Sequence, residues 1–132
     1  MSEIPLVPRP DALSFRGQSS HHAAVRADWQ VIVHALNTNL GNGLLALIAG
    51  VRPETVSRWA SGQNKDPRPA MERRVREAYT VYTDLVKVDS AHTVRAWFMG
   101  SNPLLGDDSP AEALAADRFK AVLAAARAFR DE

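Results

Sequence analysis

The residues that most restrict how this chain can fold lie between His92 and Leu114, where glycines and prolines punctuate a helical pattern. Val94, Trp97 and Phe98 recur at the spacing of one helical face, and Gly100 follows as an expected helix end where a positive backbone angle costs little. Pro103 cannot continue a helix and holds Asn102 extended, so Leu104 and Leu105 are expected on a turn, with both needing burial. Gly106, Asp107 and Asp108 make a second turn. Ser109 then reads as an N-cap, Pro110 as the first helical residue, and Glu112 as the second half of a capping box. The plainest reading of these residues is a helical hairpin with Trp97, Leu104 and Leu105 in its core.

The rest of the chain shows the same period and no strand pattern, so the expected fold class is all-α. Residues 1–22 hold Pro5, Pro8 and Pro10 with no sustained period and read as a flexible tail. From about Ala23, Trp29, Ile32, Val33, Leu36 and Leu40 share a face, and Asn39, Gly41, Asn42 and Gly43 are expected to end that helix. Leu44 to Gly62 reads as a short helix, a tight turn at Gly50 and a second short helix, which is helix-turn-helix order within an expected unit at 23–70. Met71, Val75, Ala78, Tyr82 and Leu85 form the apolar stripe of a linking helix over 71–88. A second small helical domain occupies 89–132, and its last helix carries Phe119, Val122, Leu123, Ala126 and Phe129 on one face.

The second short helix offers a polar and basic set. Thr55, Ser57 and Arg58 can point away from the packing that holds Val56 and Trp59, and such a helix fits a major groove, where arginine donates two bonds to guanine. Arg52 stands where a capping residue is usual. It is a poor N-cap, partly offset by Pro53 and Glu54, and so is a candidate for DNA. Gln63 and Lys65, with Asn64 and Arg68, follow in a proline-broken loop placed for phosphates. Arg73, Arg74 and Arg76 crowd the start of the linking helix, against its dipole, and are open to two readings: phosphate binding or a solvated face. The alternative for the whole unit is a scaffold that touches no nucleic acid.

The Trp97 helix, the Asn102-Pro-Leu-Leu-Gly turn and the Ser109-Pro-Ala-Glu-Ala-Leu helix start together resemble the toxin-binding domain of the Xre/MbcA/ParS antitoxin family. Thr55-Val56-Ser57-Arg58-Trp59 with Ser61-Gly62 is similar to the helix-turn-helix of Xre regulators. The resemblance covers roughly residues 28–132. It implies an all-helical fold and a role as the neutralising partner of a RES-domain toxin that degrades NAD. It further implies that Trp97, Asn102, Leu104, Leu105, Arg127, Phe129 and Arg130 meet the toxin, with Arg127 and Arg130 at the site that otherwise takes NAD phosphates. Cations capping the last helix are the other account of those two arginines.

Composition narrows the classes further. With 132 residues the chain is short for an enzyme that must also enclose a cleft. It has no cysteine, no membrane-length apolar run and no start resembling a signal peptide, so a cytoplasmic protein without membrane contact is expected. The net charge of +1 argues little, but residues 21–88 hold nine Lys and Arg against six Asp and Glu, and residues 89–132 hold five against seven. No glycine-rich phosphate loop, nucleophile elbow or ligand cluster is present, and Asp107 and Asp108 are better read as helix-start charges than as a metal site. The expectation is therefore a non-enzyme without cofactor, with a RES-domain toxin and operator DNA as partners, acting as a homodimer. The alternative is a stand-alone dimeric helix-turn-helix regulator. A cut after Phe119 is expected to abolish toxin binding and to spare DNA binding.

Overall fold

Trp29, Ile32, Val33, Leu36 and Leu40 are all buried, as their spacing requires, along one side of helix α1, Gly17–Leu40. The computed structural model describes residues 17–63 and 67–132. Helix α1 begins earlier than Ala23, so residues 17–22 of the expected tail are helical; the remainder of the tail lies outside the described residues. At the other end Gly41 turns at φ 90, and Arg95 Nε donates to the Leu40 carbonyl at 3.0 Å, placing a cation at the negative end of the helix. Asn42 and Gly43, expected to help end α1, instead open α2, Asn42–Ala49. This helix is apolar almost all round, with Leu45, Ala46, Ile48 and Ala49 buried, and it sits at the centre of the molecule.

Gly50 closes α2 in the left-handed region at φ 79, donating from its N–H to Ala46 O at 2.9 Å. The angle is what asks for glycine; a Cβ there would also lie 2.9 Å from Arg74 Nη1 and displace that guanidinium from the Ala49 carbonyl. Helix α3, Pro53–Ala60, follows without a side-chain cap from Arg52, as that residue's chemistry implies. Val56 and Trp59 face inward, and Trp59 meets Trp29 edge to face at 5.2 Å.

Helix α4, Pro69–Leu85, buries Val75, Ala78, Tyr82 and Leu85 of the expected stripe and adds Val81, while Met71 is only partly covered. It stops at Leu85, its last fully buried side chain, short of the expected end at 88; Val86 is partly covered and Val88 is exposed. Ser90 caps α5, Ala91–Met99, through Oγ and the Thr93 N–H at 3.1 Å. Gly100 corrects an expectation. It leaves the helix extended at φ −88 and ψ 153, feeding straight into the extended Asn102 that Pro103 demands, and a Cβ there would lie 3.3 Å from Ala96 O.

Pro103–Leu105 is a short 3-10 helix, which separates adjacent side chains by about 120°. Leu105 is therefore buried, whereas Leu104 is 61% exposed, and the expectation that both would be covered holds for one alone. The capping box forms in full at α6, Pro110–Ala115: Glu112 N–H to Ser109 Oγ at 3.0 Å and Ser109 N–H to Glu112 Oε1 at 2.8 Å. Helix α7, Phe119–Arg130, closes the fold, burying Val122, Ala125 and Ala126.

The described residues thus form seven α-helices, and no strand occurs among them. Helix α2 packs on α1, α3 and α4 from the first part of the chain and on α6 from the last part. One continuous core runs from Trp29 to Ala126, so residues 23–70 and 89–132 share an interior rather than owning one each.

Candidate functional site

On α3 the expected set divides by what each side chain touches. Arg52, Ser57 and Arg58 are exposed and Thr55 is half-buried, with Arg58 Nη2 donating to Thr55 Oγ1 at 3.4 Å. Ser57 is tied to the scaffold: its Oγ accepts from Asn42 Nδ2 at 2.6 Å, and the same amide reaches Pro53 O at 3.4 Å. Asn42 was legible only as a helix breaker, and it joins α2 to α3. Gln63 is exposed, and Lys65 lies outside the described residues. What remains for a partner is a pair of exposed guanidinium groups, Arg52 and Arg58, with the half-buried Thr55 hydroxyl beside Arg58 and the exposed Gln63 beyond the helix.

The arginine run at the start of α4 belongs mostly to the structure. Arg74 Nε and Nη2 donate to the two oxygens of Asp117 at 2.8 and 3.3 Å, and Nη1 donates to the Ala49 carbonyl at 3.0 Å. The hydrogen bond from Arg74 holds the Asp117 carboxyl below its ordinary range, and the same bond raises the guanidinium. Arg76 pairs with Glu72 at 2.7 Å and with Asp28 at 2.8 Å; burial opposes its charge, but those bonds outweigh it and its pKa is raised. Of the three only Arg73 faces outward. Its side chain is 66% exposed, stacks 4.5 Å over the Phe119 ring, and approaches Glu77 at 3.9 Å. Phosphate binding therefore has one candidate in this run.

The second surface is built around the 3-10 turn. Asn102 has its own duties: Oδ1 accepts from the Leu104 N–H at 2.9 Å, and its backbone carbonyl accepts from Leu105 and Asp107, each at 2.9 Å. Asp107 takes φ 71, a conformation that short polar side chains tolerate. Leu104 and Met99, 54% exposed at the end of α5, are the large apolar side chains left in solvent here. Trp97 and Phe129 are half-buried and meet at 6.0 Å, so the two expected aromatic contacts form one cluster joining α5 to α7. Leu105 is interior, and of the two exposed arginines Arg130 is held by Asp84 at 2.8 Å while Arg127 makes no ion pair among the described residues. Arg127 borders a hollow of about 290 Å³ that Asp84, Lys87, Leu123 and Arg130 also line.

A larger feature had no sequence signal. The first turns of α4 and α7 face each other across an open cleft of about 800 Å³, lined by Pro69, Arg73, Asp117, Arg118, Phe119 and Lys120. Residues more than forty positions apart meet there, and the periodicity that marks Phe119 as core says nothing of the cations on either side of it. Among the described residues no group of three or more His, Asp or Glu side chains could hold a metal, and no helix is long and apolar enough to cross a membrane. No family model matches the chain, and no curated protein or solved structure matches it.

Proposed function

We propose that this protein is the antitoxin of a type II toxin–antitoxin pair, which neutralises a RES-domain, NAD-degrading toxin by covering its active site and binds operator DNA through α2, the Gly50 turn and α3. The observation that carries the reading is the braced turn at 102–109. It buries Leu105 as an anchor and holds Leu104 in solvent, with Asn102 and the Ser109–Glu112 box fixing it from both ends. A large apolar side chain on a rigid turn, near exposed Met99 and half-buried Trp97, suits a hydrophobic pocket in a protein partner. Inhibition by occlusion needs no chemistry from this chain. The exposed Arg52 and Arg58 support the DNA half, acting as a homodimer in the manner of other helix-turn-helix proteins.

Adding the purified protein to a RES-domain protein encoded beside it should arrest NAD consumption at a defined ratio. Leu104→Asp should weaken that inhibition by about tenfold or more, the scale of one lost anchor, with an unchanged melting temperature. Full inhibition by a folded Leu104→Asp protein would remove the turn from the interface. The second reading, a dimeric helix-turn-helix regulator without a toxin, is favoured by the burial of Leu105, a residue that the first reading expects at the interface. Unabated NAD consumption in the presence of folded protein decides for it.

A further inference from the structure

We propose that the cleft between α4 and α7 seats the sugar-phosphate backbone of the duplex that α3 reads, with Arg73 and Lys120 as its phosphate contacts. This rests on the DNA reading of α3 and extends the interface into the last helix of the chain.

Three cations, Arg73, Arg118 and Lys120, line the cleft against one carboxylate, Asp117, whose charge Arg74 already answers at 2.8 Å. Arg118 is partly engaged by Asp108 at 3.4 Å, while Lys120 is exposed and makes no ion pair among the described residues. Arg73 stacks on the Phe119 ring and meets Glu77 through Nε at 3.9 Å, a loose pair that leaves the side chain 66% exposed and the outer edge of its guanidinium open to an anion. Exposed Arg68, which immediately precedes α4, adds a further charge next to Pro69 at the rim. Neither α4 nor α7 has a side-chain cap, so the N–H groups of their first turns add to the positive field.

Position selects a nucleic acid over an acidic peptide. Arg74, next to Arg73, bridges the cleft wall at Asp117 to the Ala49 carbonyl at the Gly50 turn, so the cleft lies one arginine side chain from the turn that leads into α3. A helix seated in a major groove brings the flanking phosphates against whatever stands beside it, and such contacts supply half or more of a protein–DNA interface. The cleft is open, as a continuous backbone requires, and its cations come from both walls.

The test is fluorescence anisotropy of the full chain on a mixed-sequence duplex of about three helical turns, across roughly 50 to 200 mM salt. Lys120→Ala should reduce the slope of log affinity against log salt by about one, and Arg73→Ala with Lys120→Ala by about two. Lys87→Ala, a change in an exposed lysine beyond the far end of α4, should leave the slope as in the wild type. Exposed Lys120 makes no ion pair among the described residues, so its variant separates the cleft from a folding effect. Binding with a slope that neither cleft variant alters overturns the assignment, and if those variants weaken the protein complex instead, the cleft docks a protein. No duplex binding by the wild type sinks the reading of α3 itself, and the cleft proposal with it.

Discussion

Asp117 shows how much can rest on one side chain outside every apolar stripe. Its backbone is left-handed at φ 63, between α6 and α7, and its carboxylate fixes the arginine that also grips the end of α2. The folded-state carboxyl titrates below its ordinary value near 4, so the pair stabilises the fold above that value and is lost as pH falls through the depressed one. Asn tolerates the same backbone region, so Asp117→Asn removes the charge with little strain. Its melting temperature should fall below that of the wild type at neutral pH, and the two curves should converge in acid as the pH falls below the ordinary carboxylate range and through the depressed Asp117 value. A gap that persists unchanged into acid would mean that the carboxylate's charge is not what holds Arg74. None of this was legible beforehand, because an aspartate in a turn carries no periodic signature.

At the scale of elements, the chain declared itself wherever the controlling interactions are local. The capping box at Ser109, the glycine turn at Gly50 and the proline-led start of α3 depend on neighbours within four residues, and each forms as its residues imply. Ser109 is 93% covered, so Ser109→Ala both removes the cap and leaves the Glu112 N–H without its partner. The expected cost is about 1 to 2 kcal/mol in chemical unfolding, and a change under a few tenths would mean that the turn is held by Pro103 and Arg118 instead. Where tertiary contacts decide, local reading failed. Which of two adjacent leucines faces inward follows from the phase of the 3-10 turn against α7, and Gly100 is needed for clearance over Ala96 rather than for a left-handed angle. The same holds for candidate site residues: Ser57 looked free on its own helix and is held by Asn42 of another.

For the whole molecule, the decisive fact is that α2 and α6 are packed together inside one core. A boundary near residue 70 or 89 follows from motif order, but the interior does not respect it. Unfolding should therefore be a single cooperative transition, with tryptophan fluorescence and far-ultraviolet dichroism coinciding. The consequence reaches the truncation that motif order recommends. Cutting after Phe119 removes Val122, Ala125 and Ala126 from the core, together with the half-buried Leu123 that packs against it and Phe129 that meets Trp97. That burial is worth on the order of 5 kcal/mol, comparable with the whole stability of a small domain. The truncated chain should lose its cooperative transition, and with it the proposed DNA binding as well as any protein partner. Retained duplex affinity with a sharp melt would show that the chain up to Phe119 folds without α7 and that the part of the core α7 supplies is dispensable to it. A point change at Leu104, whose side chain is 61% exposed, is the variant able to separate the two proposed activities.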